Sequence, residues 1–181
     1  FSMSASFQII EDGFDHASTM PDVPGPEALG AGAGFGEDAL QDMPEAIRRY
    51  FERERPIDIR LVEADRYRGE AAREPRFHVW IRTSERLPDD PTIHHCVLAY
   101  ASDLTLLDTS MIAHGRTVFE RSLQAASLDH ALWIHRPFRA DEWLLFAQDS
   151  PNASGARGFA RGAIYTQDGR LVASMAQEGL V

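Results

Sequence analysis

The polar and apolar positions of this chain fall into two regimes that meet near residue 56. Beyond it, "IDIRLVE" (57–63) alternates cleanly, and "RFHVWIRT" (76–83) places Phe77, Val79 and Ile81 on one face with His78, Trp80 and Arg82 on the other. A period of two predicts strands. "PDDPTIHHCVLAYASDLTLLDTS" (88–110) changes period: a helix start at Asp90 and Pro91 opens an almost wholly apolar run, which predicts a buried central helix. Residues 111–126 read as irregular, and four long strands follow at roughly 127–137, 142–149, 153–167 and 170–178, with a hairpin turn at Asp168-Gly169. Strand, strand, helix and four strands predict an α+β fold in which one curved antiparallel sheet wraps a single helix.

Upstream of residue 56 the pattern weakens. Ser2 to Ile9 is rich in β-compatible residues and is followed by the turn-prone "EDGFDH", so it predicts a strand with no obvious partner. The Pro, Gly and Ala content of residues 19–39 predicts an irregular linker. Its Gly30, Gly32, Gly34 and Gly36 do not make a dinucleotide fingerprint, because Phe35 and Glu37 stand where the third glycine should be. Residues 37–54 carry Leu40, Met43, Ile47, Tyr50 and Phe51 at helical spacing, with Pro44 breaking or restarting the helix, and predict a solvated amphipathic connector. The chain opens in mid-strand without an initiator methionine, which suggests a piece of something longer.

Composition narrows the partners. A net charge of −10 over 181 residues argues against nonspecific binding to nucleic acid or to an anionic membrane surface, and no apolar run approaches the roughly 18 residues of a membrane span. Small molecules or protein are the expected partners. The single cysteine, Cys96, precludes an internal disulfide framework and suits the cytoplasm. All 18 basic residues are arginine, which removes Schiff-base chemistry and any P-loop lysine.

Several polar groups invite a chemical reading. "SLDHALWIHRPF" (127–138) looks like a cluster, but strand alternation turns His130 and His135 apart and sets Asp129 and His135 about 20 Å from each other. His94 and His95 diverge by about 100° on a helix, so they cannot chelate one metal together, and no metal is expected. Cys96 reads as a core residue. No serine-hydrolase elbow is present. Asp103 stands out: helical spacing gives it the neighbours Cys96, Ala99, Tyr100, Leu106 and Leu107, a mostly apolar face. A carboxylate there is either a general base prepared by burial or an aspartate bonded to backbone or to a strand hydroxyl. Between Ala153 and Gly162 small residues admit a close approach by backbone or ligand, and Arg157 and Arg161 share a strand face, which is either solvated or a phosphate contact.

"YASDLTLLDTSM", "SLDHALWIHRPFRADEWLLFAQDS" and "GARGFARGAIYTQDGRLVASMAQEGLV" resemble the C-terminal half of type II acyl-CoA thioesterases, the TesB family, with "SASFQ", "TMP" and "VWIR" extending the likeness over nearly the whole chain. The resemblance implies two hotdog folds in one polypeptide. Residues 1–9 would be the terminal strand of a first hotdog, 10–55 a linker with an amphipathic helix, and 56–181 the second hotdog. It also implies hydrolysis of acyl-CoA to fatty acid and CoA without metal, cofactor or covalent intermediate. The implied catalytic residues are Asp103 in "ASDL", Ser127 in "ASLDH" and Gln177 in "AQEG", with a water between them. Ser127 departs from the threonine common in the family but keeps the hydroxyl. Asp129, His130, His135 and Arg136 would then shape and anchor the strand, and Arg157 with Gly158 are candidate substrate contacts. The implied partners are an acyl-CoA substrate and an N-terminal hotdog fragment or second subunit, in a homo-oligomer. Two alternatives stay open: a hotdog enoyl-CoA hydratase or dehydratase using His95 with Asp103, and a noncatalytic acyl-CoA-binding module.

Overall fold

Alternating burial defines the strands in the computed structural model, which describes residues 2–9, 11–29, 44–68 and 71–181. Strand β1 (Ile57–Leu61) buries Ile57, Ile59 and Leu61, and β2 (Arg76–Thr83) buries Phe77, Val79 and Ile81 against the same core. Downstream come β3 (Ala126–Ser127), β4 (Ala131–Ile134), β5 (Leu144–Ser154), β6 (Arg157–Thr166) and β7 (Leu171–Leu180). All pair antiparallel in the order β1-β2-β5-β6-β7, with β3 and β4 both lying against β7. The strand expected over 127–137 is thus broken in two. The one expected from 153 starts later, because Gly155 and Ala156, at φ 58° and 60°, make a tight turn between β5 and β6. Gly169, at φ 91°, makes the turn anticipated before β7.

The helical segment divides where one helix was expected. Helix α2 (Pro91–Ala101) begins as predicted, with Pro91 in the first turn and the Asp90 carboxylate accepting from Thr92 N–H at 2.9 Å. It stops at Ser102, whose hydroxyl bonds back to Ala99 O at 2.9 Å. After a turn the chain resumes as a 3-10 helix, Leu107–His114, closed by Gly115 in the left-handed region at φ 65°. The second piece carries the burial: Leu106 through Ile112 are all buried, and the 3-10 helix packs mainly on β5 and β6. Added β-carbons would stand 2.2 Å from Ser110 Oγ at Gly158 and 2.4 Å from Leu107 Cδ1 at Gly179, so these glycines set how closely that helix approaches. Only one side of α2 is covered, through His94, Leu98 and Ala101, and Cys96 is exposed rather than in the core.

The upstream segments are less solvated than expected. Helix α1 (Glu45–Glu52) starts directly after Pro44 and seats Ile47 in the main core, with the Phe51 ring 5.7 Å from that of Tyr67. Leu40, Met43 and the four glycines Gly30 to Gly36 lie outside the described residues. Part of the linker crosses the convex face of the sheet. There Met20, Val23 and Leu29 pack on Trp80, Trp143, Leu145 and Tyr165, and Trp80 Nε1 donates to Pro24 O at 2.9 Å. Trp80, placed by alternation on the outward face, is therefore 2% exposed. Ser2 to Ile9 forms no strand within this chain, and Met3, Phe7 and Ile9 are exposed.

Candidate active site

A one-residue irregularity in the sheet brings the carboxylate, hydroxyl and amide together. Ser127 pairs with Gly179, and Ala131 pairs with Ala176. Between these pairs, three residues on one strand (Leu128, Asp129, His130) face two on the other (Gln177, Glu178), so the edge strand carries a bulge. Without it, Ser127 and Leu132, five positions apart, would point to opposite faces. With it both face the concave side, Leu132 opposite Met175 and Ser127 opposite Gly179 beneath Leu107. Ser127 is thereby aimed at the turn that follows α2.

That turn carries Asp103, which is exposed and not on an apolar helix face, because the helix has ended one residue earlier. Ser127 Oγ donates to Asp103 Oδ1 at 3.2 Å. Gln177 Nε2 donates to the same oxygen at 2.5 Å and to Ser127 Oγ at 2.7 Å, closing a triangle. Since a carboxylate only accepts, the amide nitrogen must face it. Both bonds fall on Oδ1, so Asp103 Oδ2 has no partner among the described residues. Gln177 is fully buried, and its Oε1 also lacks a partner there. Asp103 and Ser127 lie on the rim of an open cleft of about 480 Å³ between the 3-10 helix and residues 118–127.

Other candidates fall elsewhere. Arg157 is exposed at the start of β6 and donates to Glu178 Oε2 at 3.1 Å. The room that Gly158 leaves is filled by Ser110, so its smallness serves packing. Arg161 pairs with Asp149 in the open. His95 stacks near Phe138, with ring centroids 5.6 Å apart. It precedes Asp103 by eight residues, about 12 Å at helical rise, and Asp103 bonds Ser127 and Gln177 instead. His94 is buried and accepts from Ala140 N–H at 3.0 Å. His135 Nε2 lies 2.8 Å from Ser174 Oγ. Among the described residues no group of three or more His, Cys, Asp or Glu could hold a metal, and no helix is long and apolar enough to cross a membrane. Residue patterns alone singled out neither Ser127 nor Gln177. A usable signal existed for Gln177, a polar residue at a core-facing position of β7 between Met175 and Gly179.

Residues 46–180 match the family model described as acyl-CoA thioesterase. Acyl-CoA thioesterase 2 of Haemophilus influenzae is 36% identical over 179 residues, which are 99% of this chain and 63% of that protein. The crystal structure of the acyl-CoA thioesterase II TesB2 from Mycobacterium marinum superposes with a TM-score of 0.72 at 42% identity, covering 96% of this chain and 59% of that one. A protein from Alicyclobacillus acidocaldarius described as having a hot dog fold superposes at a TM-score of 0.65 with 17% identity, over 94% of this chain and 58% of its own, and shows the fold alone. The chain thus spans about three fifths of the length of these relatives.

Proposed function

The chain belongs to the acyl-CoA thioesterase family and has its hotdog fold, and from that premise we propose that it hydrolyses acyl-CoA thioesters at the Asp103–Ser127–Gln177 triangle. The closed triangle on the rim of a cleft is the observation that carries the reading. A thioester carbonyl is electrophilic enough for a positioned water to attack it. Asp103 Oδ2, the unpartnered carboxylate oxygen, takes the water's proton, while Ser127 and Gln177 hold the carboxylate through Oδ1 and the remaining lone pair of the exposed Ser127 hydroxyl orients the water. The water oxygen bonds to the carbonyl carbon, the C–S bond breaks, and the thiolate of CoA takes up the proton. No covalent intermediate is needed, and no cofactor enters the scheme.

The cleft would take the acyl chain, and Arg157 is our candidate for a CoA phosphate, which must compete with Glu178 for it. The complementary partner is a further hotdog, either an N-terminal one continuous with residues 1–9 or a second subunit, as the relatives' greater length supports. The exposed, unpaired Cys96 suits a reducing compartment such as the cytoplasm. Asp103 bonds Ser127 and Gln177 while His95 packs near Phe138, which disfavours the hydratase alternative.

Thiol release over a chain-length series of acyl-CoAs tests the proposal. Asp103→Asn keeps the volume and removes the base, so kcat is expected to fall by about 10²–10⁴-fold with the fold intact. Ser127→Thr is expected to keep activity and Ser127→Ala to lose most of it. Near-normal kcat in Asp103→Asn, or CoA binding without turnover by the intact wild-type protein, would sink the reading, the latter in favour of a binding module.

A further inference from the structure

The bulge does more than aim Ser127: it also brings His130 and Asp129 to the chain neighbours of the other two members of the triangle. Resting on the thioesterase reading above, we propose that His130 and Ser102 are positioning residues that hold Asp103 in register with Ser127. His130 follows Ser127 by three residues, yet the extra residue puts both against the turn after α2. His130 Nε2 lies 2.8 Å from Ser102 Oγ. The same hydroxyl lies 2.9 Å from Ala99 O, so it joins the end of α2 to the imidazole. Ser102 is fully buried, caps α2 and directly precedes Asp103. The turn that carries the base is thus pinned twice to the strand that carries the hydroxyl.

The same bulge fixes the third corner. Glu178 N–H donates to Asp129 Oδ1 at 2.8 Å, while Glu178 O accepts from Leu128 N–H at 2.9 Å and from Asp129 N–H at 3.3 Å. These three bonds set the backbone next to Gln177. The 128–130 segment therefore holds the residue beside two members of the triangle, Ser102 beside Asp103 and Glu178 beside Gln177, and is itself the chain that continues from the third, Ser127. One hydrogen bond at an exposed histidine adds little to global stability. Displacing a catalytic group by about 1 Å, however, costs on the order of 10²-fold in rate. The Ser102–His130 bond should therefore register in turnover far more than in folding.

In the intact protein, His130→Leu is expected to lower kcat for acyl-CoA by at least about tenfold, with KM and Tm close to wild type. His130→Gln places an amide N–H at about the reach of Nε2 and is expected to restore most of kcat. Unchanged kcat in His130→Leu, or loss in both variants together with a matching fall in Tm, overturns the proposal. A readout independent of turnover is the Gln177 side-chain amide signal in 15N–1H NMR, assigned by its disappearance in Gln177→Met. It is expected to shift in His130→Leu and return in His130→Gln, and an unmoved signal in His130→Leu overturns the proposal. Absence of thiol release by the wild type would remove the thioesterase reading alone, since the amide signal still decides the positioning role.

Discussion

Asp108 joins three segments of the fold. It is buried with Arg66, each side chain 4% exposed, and accepts from the Arg66 guanidinium, from Tyr67 Oη at 2.7 Å and from Val118 N–H at 2.9 Å. Burial first, and then the Asp108 carboxylate, push the Tyr67 hydroxyl well above its ordinary pKa of 10.0, so it stays a neutral donor. Together these bonds fasten the 3-10 helix that bears Asp108 to the segment Ala64–Arg68 and to the chain after Gly115. Removing one member of a buried ion pair strands the other charge, at a cost of about 3–5 kcal/mol. Asp108→Ala is therefore expected to lower unfolding free energy by that amount, and Tyr67→Phe by only about 1 kcal/mol, in urea titrations monitored by tryptophan fluorescence. Equal losses in the two variants would show that the guanidinium is not left stranded. A continuous helix over 88–110 turns Asp103 toward apolar neighbours, and that reading selects a functional candidate by a burial it does not have. The argument about a costly buried carboxylate belongs to Asp108, five residues on, where the broken helix has rolled the next turn under the sheet.

Among the elements, those specified by local alternation were legible, and those specified by distant partners were not. The faces of β1 and β2 and the turn at Gly169 follow from period and turn chemistry within a few residues. The bulge at 128–130 is visible only once β7 is laid beside the edge strand, and the burial of Trp80 only once residues 20–29 cross the outer face. The approach to α2 is fixed in the same long-range way. Arg139 bonds both Asp141 and Asp89, and Asp141 Oδ2 accepts from Leu87 N–H at 2.9 Å, tying the loop before α2 to the loop before β5. The Arg139 guanidinium holds the Asp141 carboxyl far below its ordinary value of 3.8. A depressed folded-state pKa contributes stability that is fully present above the unfolded value and is lost as pH falls toward the folded one. Asp141→Asn should accordingly be less stable than wild type at neutral pH, and the gap should narrow as pH falls from about 5 to about 2. Thermal melts across that range check it, and a gap that stays constant would show that the carboxyl's charge is not what ties the loops.

At the scale of the whole molecule, the two edges of the sheet are built differently. The β1 edge is five residues long. It turns outward Asp58, which bonds Arg82 at 3.1 Å, and Arg60, which reaches Pro26 O and lies 4.7 Å over the Trp143 ring. Short, charged and crossed by the upstream segment, that edge is protected against pairing. The opposite edge, β3 with β4, pairs with β7 on one side and with no other strand among the described residues. It exposes Leu128 by 57%, Trp133 by 54% and Ile134 by 39%. An apolar strand edge of this kind is a template for another sheet, and the Asp103–Ser127–Gln177 triangle includes the β3 residue Ser127, so whatever pairs there would also close over Ser127. Expressed alone, the 181-residue chain is expected to self-associate through this edge, giving a sedimentation coefficient that rises with concentration. Trp133→Lys puts a charge on the outward face without touching the triangle, and should weaken that association by at least about tenfold. Asp58→Lys, on the outward face of the protected edge, would leave the association constant unchanged. A chain that sediments as a single monomer at all concentrations, or a Trp133→Lys variant that associates as wild type does, would mean that the β3–β4 edge is not the one that receives a second sheet.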